Sequence, residues 1–146
     1  MRAFLVFLSV LALAAMPLAL ADHTTFGEGA LRLHNYNHGL FRFHVLNHDG
    51  ATSGEYHFRE FHEKTLVAAV DIPNVTRSVF SDYYPRVALF GGHGTLNGHE
   101  VFVKVKVFDG HGTTYPDAMA VTCYNQYGLV VYYRAGYVVQ GDIVVQ

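Results

Sequence analysis

The sequence predicts an all-β protein with one antiparallel β-sandwich or barrel-like domain, and three observations on residues 22–146 support this. Apolar residues alternate with polar ones in several short runs, the period expected of half-buried strands. Val, Phe and Tyr are frequent in these runs and favour strands. Gly- and Asp-containing turn signals separate them at short intervals, and no segment has a sustained helical period.

The first two predicted strands form an aromatic hairpin. Phe41 and Phe43 share one face of the run 40–48, and Phe58 lies on one face of the next run. A turn centred between residues 50 and 51 would pair Phe43 with Phe58 and His44 with His57. That register also sets two arginines opposite each other, which is unfavourable. A register shifted by two residues keeps the same faces and removes the arginine pair.

A valine strand follows later in the chain. Its alternation predicts that Lys104 and Lys106 face water, and that Val101, Val103, Val105 and Val107 face the core. Residues 118–124 are expected to form another strand, with Cys123 buried as an inert thiol. Further strands are predicted at 64–72, 74–81, 86–90, 129–134 and 142–146, with turns between them that include Gly91-Gly92-His93-Gly94.

The N-terminus predicts secretion. Arg2 precedes an apolar run, Pro17 interrupts it, and Ala19-Leu20-Ala21 fits a cleavage site before Asp22. We therefore expect a signal peptide at 1–21, a mature domain at 22–146, and no membrane span after cleavage. An uncleaved membrane anchor is the alternative, because the apolar run approaches the length of a bilayer span.

Composition excludes some classes of function. The chain has 10 Lys and Arg against 12 Asp and Glu, so it lacks the basic footprint of a nucleic-acid-binding protein. Its one cysteine, Cys123, provides no internal disulfide, so packing has to stabilise the domain.

Several short motifs resemble a family of secreted bacterial β-modules, the post-COAP type found beside choice-of-anchor repeats. Members carry a valine strand closed by Asp, then a loop with Gly and Pro that leads to a second Asp, and they end in Gly-Gly-Asn-Ile-Gln-Ile. The matching segments here are 27–31, 40–45, 53–58, 97–109 with Asp117, and 140–146. The many histidines and Gly141-Asp142, in place of Gly-Gly-Asn, depart from the pattern. The resemblance implies an all-β fold and no known activity.

All ten histidines lie in residues 22–146, which raises the question of metal binding. Imidazole suits zinc and copper, and such a site needs three or four converging ligands. The candidate pair is His44 and His57, with His111 or His93 as a third ligand from a loop. The alternatives are ordinary polar surface residues and a pH-responsive surface.

A second candidate site is the loop between Asp109 and Asp117. Two carboxylates with loop carbonyls suit calcium, whereas ordinary Asp-Gly turn chemistry explains Asp109 without an ion. The sequence therefore leaves calcium and a simple turn as alternatives.

No catalytic signature is present in the sequence. None of its serines lies in G-x-S-x-G. Alternation places Glu60 on the face of Tyr56 and Phe58, unlike Glu55 and Glu63, but a solvated face is expected for these carboxylates rather than an acid–base pair. The leading hypothesis is a secreted, non-catalytic β-sandwich module that acts by surface binding of an extracellular protein or glycan, in adhesion, envelope or matrix structure, or ligand capture. The alternative is a small β-barrel enzyme or carrier with a pocket lined by Tyr and His.

Overall fold

The computed structural model describes residues 22–81 and 86–146, which form nine β-strands. The predicted signal peptide lies outside the described residues. The strands are β1 (His23–Leu33), β2 (His38–His48), β3 (Ala51–His62), β4 (Thr65–Ile72), β5 (Arg77–Phe80), β6 (Arg86–Leu96), β7 (His99–Asp109), β8 (Ala118–Tyr124) and β9 (Val130–Val145). The described residues include no helix long and apolar enough to cross a membrane.

Eight of these strands close into an antiparallel barrel. The order is β4-β3-β2-β1-β9-β8-β7-β6, and pairing of β4 with β6 closes the ring. The short strand β5 continues along the same edge of β6 beyond β4. The predicted all-β fold is therefore confirmed, as the barrel rather than the sandwich, and closure leaves few free strand edges.

The Asp49-Gly50 turn sets the register of the first hairpin. Both residues have positive φ, 50° and 81°, as a two-residue type I′ turn requires. His48 consequently pairs with Ala51, and Phe43 pairs with Tyr56. The register with its turn between residues 50 and 51 was wrong by two residues, although the faces it assigned were right.

The hydrophobic core lies inside the barrel. Val103, Val105 and Val107 are at most 1% exposed, while Lys104 and Lys106 face water, which confirms the predicted faces of β7. Cys123 is buried on the inner face of β8, and burial raises the pKa of its thiol to about 12. The thiol is therefore protonated at neutral pH, as expected of an inert core cysteine.

Other predictions about the strands need correction. The segment 91–94 is not a turn but part of β6, where Gly94 permits close approach: a Cβ there would lie 2.1 Å from the carbonyl oxygen of Asp71 on β4. The predicted strands at 129–134 and 142–146 are the two ends of one strand, β9 (Val130–Val145), which has a bulge opposite Ala30 and Leu31. The first strand, β1, was not predicted as a strand.

Candidate functional site

Side chains fill the middle of the barrel and meet across it. The Tyr56 hydroxyl on β3 donates a hydrogen bond of 3.2 Å to Sδ of Met119 on β8, on the opposite wall. The ring of Phe90 on β6 lies 5.4 Å from that of Phe43 and 5.8 Å from that of Tyr56. These contacts occupy the space in which a barrel carrier would hold a ligand.

A buried carboxylate lies towards one end of the barrel. Glu60 on β3 is 1% exposed, and its two oxygens accept four hydrogen bonds. The donors are Tyr132 Oη at 2.5 Å, Arg134 Nε at 2.8 Å, Asn35 Nδ2 at 2.9 Å and Asn37 Nδ2 at 2.6 Å. The expectation that Glu60 lies on a solvated face was therefore wrong.

This polar network is fully paired. Burial raises the pKa of Glu60, but the hydrogen bonds from Tyr132, Asn35 and Asn37 and the charge of Arg134 outweigh it and bring the pKa below its usual value. Glu60 is thus an acceptor at neutral pH. Its hydrogen-bonding capacity is taken up by the protein, which suits a structural plug better than a general acid.

The two histidines of the predicted zinc or copper site are on the same outer face but not opposite each other. His44 pairs with Glu55, and His57 pairs with Arg42. The His57 ring is held by Asp71, with Nδ1 2.7 Å from Oδ1, and Arg59 Nη1 lies 3.0 Å from the same oxygen. His57 is therefore hydrogen-bonded within a half-buried network around the Arg59–Asp71 ion pair.

The carboxylates of the predicted calcium loop bind backbone N–H groups. Asp109 accepts from the N–H groups of His111 at 3.0 Å and Val145 at 3.0 Å. Asp117 accepts from those of Gly110 at 2.7 Å and Ile143 at 2.8 Å. The two residues fasten the loop to the end of β9, an arrangement that favours the turn interpretation.

The structure separates the two sets of predicted ligands. His44 and His57 are on β2 and β3, whereas Asp109, His111 and Asp117 are at the β7–β8 connection, with β1 and β9 in between. His93, the other loop candidate, is an exposed residue of β6.

A different group of side chains has the spacing of metal ligands among the described residues. Asp22, His48 and Asp49 offer ligand atoms within 4.8 Å of one another, and all three are exposed. His48 Nδ1 is 2.8 Å from Asp22 Oδ1, and its Nε2 is 3.3 Å from Asp49 Oδ2. The hydrogen bond and charge of Asp22, with the charge of Asp49, raise the pKa of His48. A histidine ring between two carboxylates that favour its protonated form accounts for this group without an ion.

An open groove on the outer surface combines aromatic and polar side chains. Its volume is about 570 Å³, and it extends from β6 and β7 to the β8–β9 turn. The ring of Phe102 meets that of His93 edge-to-face at 5.5 Å between centroids. Glu100, Asn125 and Gln126 supply polar atoms to the lining. No single sequence motif marks this groove, because its lining comes from strands brought together by the barrel.

The fold and surface define a small, closed β-barrel with a filled interior and an open outer groove. No family model, curated protein or solved structure matches the chain. The resemblance to the post-COAP modules therefore stays a prediction from the motifs.

Proposed function

We propose that the protein is a secreted, non-catalytic module that binds an extracellular partner through its outer surface. The filled barrel is the observation that carries this proposal. Contacts such as that of Tyr56 with Met119 fill the interior, so we expect a partner to bind to the outer surface of the barrel. The signal-peptide pattern at 1–21 supports an extracellular location.

The groove described above is the proposed contact surface, and its chemistry favours a glycan. An aromatic face such as that of Phe102 packs against the apolar face of a sugar ring. The Gln126 amide and the Glu100 carboxylate provide hydrogen-bond partners for hydroxyl groups. In a small binding site, a few convergent polar groups on an otherwise apolar surface fix the orientation of the ligand.

The alternative of an enzyme or carrier requires a pocket lined by Tyr and His. The candidates inside the barrel are Tyr56 and Tyr132, and both are engaged, with Met119 and with Glu60. Nothing in the described interior therefore favours this alternative over surface binding.

An array of immobilised extracellular glycans tests the proposal. Residues 22–146, labelled with a fluorophore, should bind a subset of the glycans, and Phe102→Ala should reduce that binding at least tenfold. Phe108→Ala is the matched control, because Phe108 is also a half-buried, outward-facing phenylalanine of β7 but does not line the groove. Binding that is lost equally in both variants, or kept in both, would contradict the assignment of the groove.

A further inference from the structure

The outer wall of the barrel is divided into a charged part and an uncharged part. Outward positions on β1 to β4 include Glu28, Arg42, Glu55, Arg59 and Asp71. The outward residues of β8, in contrast, are Ala118, Ala120, Thr122 and Tyr124, and those of β9 from 131 to 139 are Val, Tyr, Ala, Tyr and Val. Two adjacent strands thus present a band without a charge.

The centre of this band is an exposed apolar row on β9, which we call the β9 ridge: Val131, Tyr133, Ala135, Tyr137 and Val139. Its four large members are 45–54% exposed. The turn that leads into β9 adds Tyr127 at 78% and Leu129 at 63%. Since a half-exposed tyrosine presents roughly 100 Å², these six residues expose on the order of 600 Å². That value is at the upper limit for the largest patch on a monomer and approaches the ~800 Å² that each partner buries in a standard interface.

The residue types of the β9 ridge are symmetric about Ala135: Val, Tyr, Ala, Tyr, Val. A two-fold axis passing over Ala135, at right angles to the strand, would place Tyr133 against Tyr137 of a second copy. The same axis would place Val131 against Val139. Isologous two-fold contacts need a surface that is complementary to itself in this reciprocal sense.

We propose that the β9 ridge is covered by a second copy of this chain, in a two-fold symmetric dimer. Small neighbours on β8 leave room for the tyrosine rings to pack offset, because Ala120 pairs with Ala135 and Ala118 with Tyr137. The nearest charges are those of Arg134 on β9, whose side chain is 29% exposed and bonded to Glu60, and of Arg32 on β1, which pairs with Tyr137. Lys106 on β7 is two strands away from Ala135.

Sedimentation of residues 22–146 at micromolar concentration tests the proposal, with expected mass twice that of one chain. Ala135→Lys should give monomers, because it would set two ammonium groups against each other on the axis. Leu89→Lys is the matched control: Leu89 is an outward apolar residue of β6, 46% exposed, and this variant should stay dimeric. Circular dichroism of all three proteins reports whether each is folded.

Cross-linking tests the geometry without a charge. Ala135→Cys should be joined efficiently to its copy by a bismaleimide matched to the ~10 Å spacing of packed sheets, and Leu89→Cys should not. A monomeric wild type, or equal cross-linking of both variants, would overturn the proposal. Glycan binding through the Phe102 groove is scored separately, so either idea can fail alone.

Discussion

Replacing Glu60 by Ala should destabilise the barrel by about 3 kcal/mol. The substitution leaves Tyr132, Asn35 and Asn37 without their acceptor and Arg134 without its counter-charge. Breaking a buried ion pair from one side costs about 3–5 kcal/mol. The Arg134 side chain is 29% exposed and partly hydrated, so the lower end of that range applies.

Urea denaturation at pH 7 measures this loss, read from the midpoint with an unchanged slope. Glu55→Ala on the same strand is the control; its side chain is 55% exposed, and its effect should be within about 0.5 kcal/mol. A loss below about 1 kcal/mol for Glu60→Ala would refute the reasoning that the network is a stabilising plug.

The pH dependence of the stability provides a second test of the Glu60 network. Burial raises the pKa of Glu60, but its hydrogen bonds and the charge of Arg134 lower the pKa by more, so the folded-state pKa is below the usual value. The stabilisation is therefore complete above the ordinary glutamate pKa of about 4.3 and is lost as pH falls through the folded-state pKa. The stability difference between wild type and Glu60→Gln should shrink in acid, and a difference that is constant from pH 7 to pH 3 would contradict this.

Three further predictions concern other parts of the chain. Asp142→Asn should raise the Tm at pH 7. The hydrogen bond to Asp117 and burial raise the pKa of Asp142, so the stabilisation from its protonated carboxyl group is present in acid and lost as pH rises. A gain in Tm that occurs only at low pH would contradict this. Val103→Ala should cost about 1–3 kcal/mol and Lys104→Ala close to none in denaturant titrations, an order whose reversal would refute the assigned faces. Intact-mass analysis of exported protein should show Asp22 as the first residue, whereas a full-length, membrane-bound product would disprove cleavage.

Alternation along the chain was enough to predict which residues face the core. Phe43, Phe58 and Val103 are all buried as expected, because a one-residue slip would have exposed every apolar side chain of their strands. The exact register was not predictable from the faces, since a two-residue shift preserves them. The positive φ of Asp49 and Gly50 decides it, and Asp-Gly is the sequence signal of such a two-residue turn, so centring the hairpin on this pair would have given the observed register.

Features that depend on contacts distant in sequence were missed. Alternation places Glu60 on the face of Tyr56 and Phe58, yet it was expected in solvent, because the partners that make its burial possible come from the β1–β2 turn and from β9, up to 74 residues away. The strand β1 begins with polar residues and includes Gly27 and Gly29, so propensity alone argues against it. Gly29 has φ of 157°, and a Cβ there would lie 2.1 Å from the Gln140 carbonyl oxygen, so close approach of β9 explains this glycine.

Mapping the contact surface by NMR tests the central claim, that the barrel binds from outside, most directly. Isotope-labelled residues 22–146 would be titrated with the soluble polysaccharide fraction of the producing cells. The account predicts shift changes in the outward residues His93, Phe102 and Gln126, with the interior unaffected. Changes centred on the interior residues Phe43 and Tyr56 would show that the barrel opens to hold a ligand, and would contradict the account.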